Sequence, residues 1–243
     1  ADVFGQAVNW GFQYYTLLDG LNTFVVILFY TFQIYFDFSG YCDMARGIGF
    51  LFNIRIPVNF LSPYKAGNIL EFWDRWHITL TRFFTRYLYI PLGGSRKGML
   101  RTCVNVLLVF LVSGFWHGAG WNYIVWGLLH GVLSVITRIW QKIRGTGEKS
   151  LFGKALSTSL TFLFICCSWT FFRADTLEQA LFMLRRLATV TGGRINMEFA
   201  TFFQIPEVYY VLKALHLHTL PGAAYYGLAA FVLIACVLLF GCK

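Results

Sequence analysis

A stretch without any Asp, Glu, Lys or Arg runs from Thr102 to Thr137 and constrains the fold of this chain more than any other feature. Its 36 residues exceed the length of one membrane-spanning helix, because a helix crosses the hydrocarbon core in about 20 residues. The sequence Gly118-Ala119-Gly120-Trp121-Asn122, near the middle, supplies turn residues. We therefore predict a hairpin of two membrane-spanning helices.

The composition extends this prediction to the whole chain. Hydrophobic residues make up 57% of it and charged residues only 13%, whereas a soluble domain carries about 25% charged residues. Uncharged runs at 20–36 and 155–172, and an apolar stretch after Pro221-Gly222, predict further spans. We expect about five spans in an all-α integral membrane protein, with residues 1–243 as a single membrane-embedded domain. Since the chain begins with Ala1, we also expect a piece of a longer protein.

The segment 37–101 differs from these runs because it mixes aromatic residues with charges and turn signals. It predicts short amphipathic or re-entrant helices at the interface or around a cavity, since irregular backbone at membrane depth must be covered by protein or water. Basic residues flank the predicted hairpin on one side, which favours the cytoplasm for that side; they are Arg96, Lys97, Arg101, Arg138, Lys142 and Arg144. His117 then lies toward the far half of the membrane, or at the bottom of a cavity that opens there.

Charge and cysteine usage exclude other classes of protein. The net charge of +9 suits loops beside anionic lipids, and no basic soluble face for nucleic acid is visible. No cysteine pair has the CxxC spacing of a metal or redox site, so we predict neither a metal site nor a disulfide framework. The cysteines are Cys42, Cys103, Cys166, Cys167, Cys236 and Cys242.

His117 is the first candidate for chemistry, because an ionisable side chain within an uncharged membrane segment is costly. It lies beside the predicted turn, among glycines that allow a ligand close approach, and between Trp116 and Trp121, whose rings suit a cavity wall. An imidazole titrates near neutral pH and can accept a proton from an attacking hydroxyl. The alternative is a histidine that only joins two helices by a hydrogen bond.

His77 is the second candidate, in the sequence Phe72-Trp73-Asp74-Arg75-Trp76-His77. A helix here would place Trp73 and His77 on one face at spacing i, i+4. The alternative is an interfacial helix anchored by tryptophan. We take Trp76 and Arg75 as tentative tunnel or substrate-binding residues, together with Trp116, Trp121, Asp37 and His130.

Two of these tentative residues have structural alternatives. Asp37 and Asp43 need partners beside a span, and Arg46 and Arg75 are available for ion pairs. For His130 the sequence favours a structural histidine whose hydrogen bonds are satisfied. Asp37, His117 and His130 would also fit the permeation path of a non-enzymatic export or transport subunit.

An ordered set of motifs resembles the membrane-bound O-acyltransferase family, and within it the bacterial alginate O-acetyltransferase branch. The set covers most of residues 31–180. Its members are Gln33-Ile34-Tyr35-Phe36-Asp37-Phe38-Ser39-Gly40-Tyr41, Asp43-Met44-Ala45, Asn59-Phe60, Pro63-Tyr64, Phe72-Trp73, Arg75-Trp76-His77-Ile78-Thr79-Leu80, Tyr87-Leu88-Tyr89-Ile90-Pro91-Leu92-Gly93-Gly94, Trp116-His117-Gly118-Ala119, Trp126-Gly127, His130-Gly131 and Phe171-Phe172-Arg173-Ala174-Asp175.

The resemblance implies the C-terminal part of a multi-helix bundle around a funnel or tunnel, with N-terminal transmembrane helices missing, since family members are about twice as long. It implies that His117 is the catalytic histidine and His77 the second signature histidine. The implied reaction moves an acyl group, most simply acetyl, to hydroxyls of an exported polysaccharide such as alginate. Alternative acceptors are teichoic acid, which takes D-alanyl, and lipid or protein. Asp74 and Thr85-Arg86 depart from the charges that many relatives carry there.

The same resemblance implies a multi-pass protein of the inner (plasma) membrane, in contact with lipids and with a periplasmic or extracellular acyltransferase as partner. No bound cofactor is expected, and the acyl donor would be acetyl-CoA or an acyl-carrier thioester. His117 would be the general base, and His77 or tryptophan N–H groups could stabilise an oxyanion. Ser113 is expected to be a helix-packing residue, which favours direct transfer over a covalent enzyme intermediate.

Overall fold

A computed structural model describes residues 1–145, 147, 150–189, 193–220 and 222–241, which form helices and connecting segments without any strand. This confirms the all-α prediction. The helices are α1 (Asp2–Gln13), α2 (Gly20–Leu51), α3 (Ile69–Arg75), α4 (Ile78–Phe84), α5 (Gly98–His117), α6 (Trp121–Arg144), α7 (Leu151–Arg173), α8 (Leu177–Leu187), α9 (Met197–Phe202), α10 (Pro206–Ala214) and α11 (Ala223–Cys236). Short 3-10 turns at Tyr15–Leu17 and Pro63–Lys65 and π-helical turns at Thr85–Tyr89 and Val237–Gly241 complete the described elements.

Five of the described helices are long and apolar enough to cross a membrane, as the uncharged runs predicted. They are α2, α5, α6, α7 and the segment Ala223–Gly241. Pro221, which the prediction placed just before the last span, lies outside the described residues.

The chain forms two compact units, and the first comprises residues 1–37 and 181–243. Its core is a cluster of phenylalanine rings from α1, α2 and the α9 region. Phe4 contacts Phe29, Phe32 and Phe203 at ring-centroid distances of 5.3–5.6 Å. The amide of Asn22 also joins the start of α2 to the segment before α9, donating to the Arg194 carbonyl and accepting from the Asn196 backbone N–H.

The second unit, residues 38–180, contains the predicted hairpin. Helix α5 ends at His117 and α6 begins at Trp121, so the predicted turn is confirmed. The helices approach closely because two glycines face each other. A Cβ at Gly114 would lie 2.5 Å from the Tyr123 carbonyl oxygen, and one at Gly127 would lie 2.4 Å from that of Phe110. Small residues bring membrane helices together in this way.

Helix α2 differs from the prediction that short helices begin at residue 37. It continues through Asp37 and ends only at Leu51, where Asn53 takes a positive φ of 56°. The charges that suggested a break are accommodated on the surface of the helix, because Asp37 and Asp43 are exposed and Asp43 pairs with Arg46 at 3.3 Å. Beyond this point the prediction of short helices is confirmed, since α3 and α4 have seven residues each.

Candidate functional site

His117 is the last residue of α5, at the turn of the hairpin. The two glycines that follow leave room for side chains from α6. A Cβ at Gly118 would lie 2.4 Å from the Tyr123 ring, and one at Gly120 would lie 2.3 Å from Oδ1 of Asn122. Asn122 in turn donates to the carbonyls of Phe171 and Ala174, at 3.2 and 2.8 Å. The end of α7 is thereby attached beside His117.

The imidazole of His117 is half-buried in an aromatic pocket. Its ring centroid lies 4.8 Å from that of Trp116, 5.2 Å from that of Trp126 and 5.0 Å from that of Phe172. All three rings meet it edge to face, an arrangement that fixes the orientation of the imidazole. Trp116 itself is 60% exposed, so the pocket is open on that side.

His77 lies between α3 and α4 and has a left-handed backbone conformation, with φ 43° and ψ 53°. The prediction that Trp73 and His77 share one helix face is therefore wrong. Helix α3 ends at Arg75 because the segment 59–61 forms backbone hydrogen bonds with residues 75 and 78. The Leu61 N–H donates to the Arg75 carbonyl at 3.0 Å, and the Ile78 N–H donates to the Asn59 carbonyl at 3.1 Å.

The side chain of Asn59 binds the same loop. Its Oδ1 accepts from the Thr79 backbone N–H at 3.1 Å and from the Thr79 hydroxyl at 2.7 Å, and lies 3.3 Å from Nδ1 of His77. Its Nδ2 faces the thiol of Cys42 at 3.6 Å. The His77 ring also contacts Phe38 at 4.7 Å. Burial lowers the pKa of His77, so the imidazole is neutral at and above the ordinary histidine range.

The structure brings the two predicted histidines together. His77 is close enough to His117 for a charge on one imidazole to act on the other. Tryptophan rings connect their surroundings. Trp76, which is buried, contacts Trp169 at 5.1 Å, and Trp169 stacks on Trp126 at 6.0 Å and 16°. Trp126 in turn contacts His117. A chain of contacting tryptophan rings thus extends from Trp76, next to His77 in sequence, to His117 within the second unit.

Three of the remaining predicted residues belong to the same unit but have different surroundings. Trp121 is 74% exposed at the start of α6. Arg75 is ion-paired with Glu71, one turn earlier in α3. His130 is fully buried in α6, and its Nε2 lies 3.0 Å from the Ser168 hydroxyl. That hydroxyl donates to the Ile165 carbonyl at 2.8 Å, so the proton between them belongs to Nε2 of His130.

Asp37 lies within α2 as an exposed residue of the other unit. Its neighbour Asp43, in the second unit, has the arginine partner that the sequence suggested, Arg46.

A cavity of about 620 Å³ extends between α3, α4, α5 and α6. Ser113, one turn before His117, lines it at one end, and Arg138 and Gln141 line it where α6 approaches its basic terminus. A smaller cavity of about 320 Å³ adjoins the start of α5 and includes Arg138 and Lys142. The start of α5 therefore lies beside the part of α6 that carries Arg138 and Lys142.

No three His, Cys, Asp or Glu side chains of the described ranges are grouped so that they could hold a metal ion. Five cysteines are free thiols, and Cys242 lies outside the described residues.

The sequence did not single out Asn59, Trp126 or Phe172 as site residues, although all three lie in motifs that carried the resemblance. Each reaches a histidine from a different segment of the chain. Local spacing contains no signal for such contacts, because they depend on how the helices pack.

Comparisons of the sequence with known proteins agree on one family. The model of the membrane-bound O-acyltransferase family matches residues 19–167. The chain is 50% identical to a peptidoglycan O-acetyltransferase of Helicobacter pylori, over 79% of this chain and 36% of that protein. It is 45% identical to a probable alginate O-acetylase, AlgI, of Pseudomonas fluorescens, over 63% and 30% of the two chains. A teichoic acid D-alanyltransferase of Streptococcus thermophilus is 35% identical over 53% and 33%. The chain thus spans about a third of the length of these relatives.

Proposed function

The chain belongs to the membrane-bound O-acyltransferase family, and from that premise we propose that the full protein transfers acetyl groups to hydroxyls of a glycan outside the membrane. The observation that carries this proposal is the pair of neighbouring imidazoles, His77 and His117, at the end of a membrane-spanning hairpin. The names of two relatives support acetyl as the group and a glycan as the acceptor, since they act on peptidoglycan and alginate.

In this proposal His117 is the general base. Its imidazole takes the proton of the acceptor hydroxyl while the oxygen forms a bond to the carbonyl carbon of the acyl thioester. The tetrahedral oxyanion then collapses, the C–S bond breaks, and the sulfur leaves with the proton that His117 holds. The products are an O-acyl ester and a free thiol, and the imidazole returns to its neutral form. General-base catalysis of this kind contributes about 10²–10⁴-fold to the rate.

The larger cavity suits a thioester donor that arrives from the basic side of the hairpin. Acetyl-CoA and acyl-carrier thioesters are anionic, and Arg138 lines both cavities at that side. Two carboxylates, Glu71 and Asp74, also line the larger cavity, and Arg75 pairs with Glu71. From there the larger cavity continues to Ser113, one helical turn from His117. We propose this cavity as the donor path, with the donor as a substrate and not as a resident cofactor. In this proposal Ser113 lines the path and takes no part in the reaction.

The acceptor and the partners follow from the same proposal. The five membrane-crossing helices support a multi-pass protein embedded in lipid, and we place it in the inner (plasma) membrane with His117 toward the outer face. An exported polysaccharide would approach from that side, assisted by a periplasmic or extracellular acyltransferase. Trp116 and Trp121, exposed on either side of the turn, are proposed to contact the sugar.

The test is the O-acetyl content of exported polysaccharide from a host that carries full-length His117→Ala. We expect loss of O-acetyl groups, with the polymer still exported, because the base is gone. His216→Asn is the matched control, since His216 is exposed and lies in the other unit, and asparagine tolerates its positive φ of 56°. Unchanged acetylation at equal membrane abundance would contradict the proposal. Loss of the polymer itself would favour an export subunit, and loss of D-alanyl esters would favour the activity named for the third relative.

A further inference from the structure

The hydrogen bonds of the Asn59 side chain determine which ring nitrogen of His77 carries a hydrogen. The Oδ1 of Asn59 accepts a hydrogen bond from the backbone N–H of Thr79 at 3.1 Å. A backbone N–H can only donate, so the atom facing it is the carbonyl oxygen and not the amide nitrogen. The Nδ2 then faces Cys42, which agrees with this orientation.

The orientation of Asn59 fixes the proton on His77. An amide oxygen can only accept, and two acceptors at 3.3 Å would repel each other, so Nδ1 of His77 must carry the hydrogen. A neutral imidazole has a single N–H. The other ring nitrogen, Nε2, therefore has a lone pair and no hydrogen to donate.

We infer that Asn59 is a positioning residue, which holds His77 in the Nδ1–H tautomer so that Nε2 accepts a hydrogen bond from a hydroxyl of the acceptor glycan. The inference rests on the proposed function for its substrate. Glycans carry neighbouring hydroxyls, so one can be bound by His77 while another loses its proton to His117. In this tautomer His77 cannot be the donor that stabilises an oxyanion, and that task falls to other N–H groups.

The backbone supports the same role. Asn59 accepts from the Ile78 N–H through its carbonyl and from the Thr79 N–H through its side chain, so one residue binds the chain immediately after His77. Its side chain then orients the ring. The titratable groups around the pair are His117 at the end of α5 and the thiol of Cys42 in α2, and burial is the cause that lowers the pKa of His77.

The tautomer can be measured without any activity. Nitrogen NMR of full-length protein in lipid nanodiscs, with ¹⁵N-labelled histidine, distinguishes the two neutral tautomers, and His77→Gln assigns the signal by its disappearance. At pH 7.5 we expect His77 to carry its proton on Nδ1, and to lose that preference in Asn59→Leu. The control Thr79→Val removes another hydrogen bond to the same Oδ1 and should leave the tautomer unchanged. A proton on Nε2 in the unmodified protein would overturn the inference.

Activity supplies the second readout. Asn59→Leu should lower kcat/KM by about tenfold, because Nδ1 of His77 and the Thr79 donors, which are partly buried, lose their acceptor. Asn59→Asp keeps an acceptor for both Nδ1 and Thr79 but adds a negative charge, which raises the pKa of His77. Its activity should therefore decline at a higher pH than in the unmodified protein as the solution is acidified. An unmoved acid limb in Asn59→Asp would overturn the role of His77 as an acceptor, even if Asn59→Leu fails to fold.

The two readouts separate this inference from the proposed function. A protein without acetyltransferase activity would contradict the function, while the NMR signal of His77 would still decide its tautomer. Conversely, an active protein whose His77 carries the proton on Nε2 would retain the function and lose this inference.

Discussion

At His77 the chain adopts a backbone conformation that most residues avoid. Its φ of 43° lies in the left-handed region, where a Cβ costs about 1–2 kcal/mol and where Asn, Asp and His occur more often than other side chains. Strain of this size persists when the surrounding structure holds it, and it concentrates at functional sites. Here the Asn59 and Leu61 hydrogen bonds hold it. Backbone and imidazole thus impose two separate requirements on one residue.

Substitutions can separate these two requirements. We expect His77→Asn to preserve the fold, because asparagine tolerates positive φ, whereas His77→Val should destabilise the protein by about 1–2 kcal/mol, because a β-branched residue does not. Both variants should lose most acyl transfer, since neither has an imidazole. Thermal unfolding of the solubilised full-length protein checks the difference. Equal stability of the two variants would show that the left-handed backbone is not under strain.

At the scale of the elements, the α5–α6 hairpin determines the position of His117. Its glycines allow the helices to approach until backbone touches backbone, and the turn holds His117 against Trp126 and Phe172. The shape of the pocket around His117 therefore depends on the distance between the two helices, because a close-packed core transmits small displacements to neighbouring side chains.

A matched pair of glycine substitutions tests the hairpin. Gly114→Ala places a Cβ 2.5 Å from the Tyr123 carbonyl oxygen, so the helices must separate, and overpacking of this kind costs about 1–3 kcal/mol. Gly47→Ala, in α2, meets no atom within 4 Å and should be neutral or raise stability by up to about 1 kcal/mol. The fraction of full-length protein that survives heating in detergent measures both. A Gly114→Ala variant as stable as Gly47→Ala would contradict the packing described here.

Elements with local signals were predictable from the sequence, and those that depend on distant partners were not. The uncharged run from Thr102 to Thr137 and its central glycines were enough to predict the hairpin and the position of His117 at its turn. The end of α3 was mispredicted, because the hydrogen bonds that terminate it come from Asn59 and Leu61, well before it in the chain. The extension of α2 past Asp37 was missed for a different, local reason: charged side chains can occupy the exposed face of a continuing helix, as Asp37 and Asp43 do.

At the scale of the whole molecule, the proposed function requires a path from one side of the membrane to the other. The basic termini of α5 and α6 lie together at one end of the hairpin, and His117 lies at the other. The larger cavity runs from Arg138 toward the turn, and under the proposed function a cytoplasmic donor and an external acceptor meet at the histidines. Because the chain spans about a third of its relatives' length, experiments on activity require the full protein.

The most direct measurement follows radiolabelled acetyl across the membrane of inside-out vesicles from the native host. Cytosolic extract supplied with radiolabelled acetyl-CoA is added to the cytoplasmic face, and the glycan enclosed in the vesicles is then isolated. We predict that label reaches hydroxyls of the enclosed glycan in vesicles with the unmodified protein, and falls to background in vesicles with an equal amount of His117→Ala. Equal labelling in both would contradict a mechanism centred on His117.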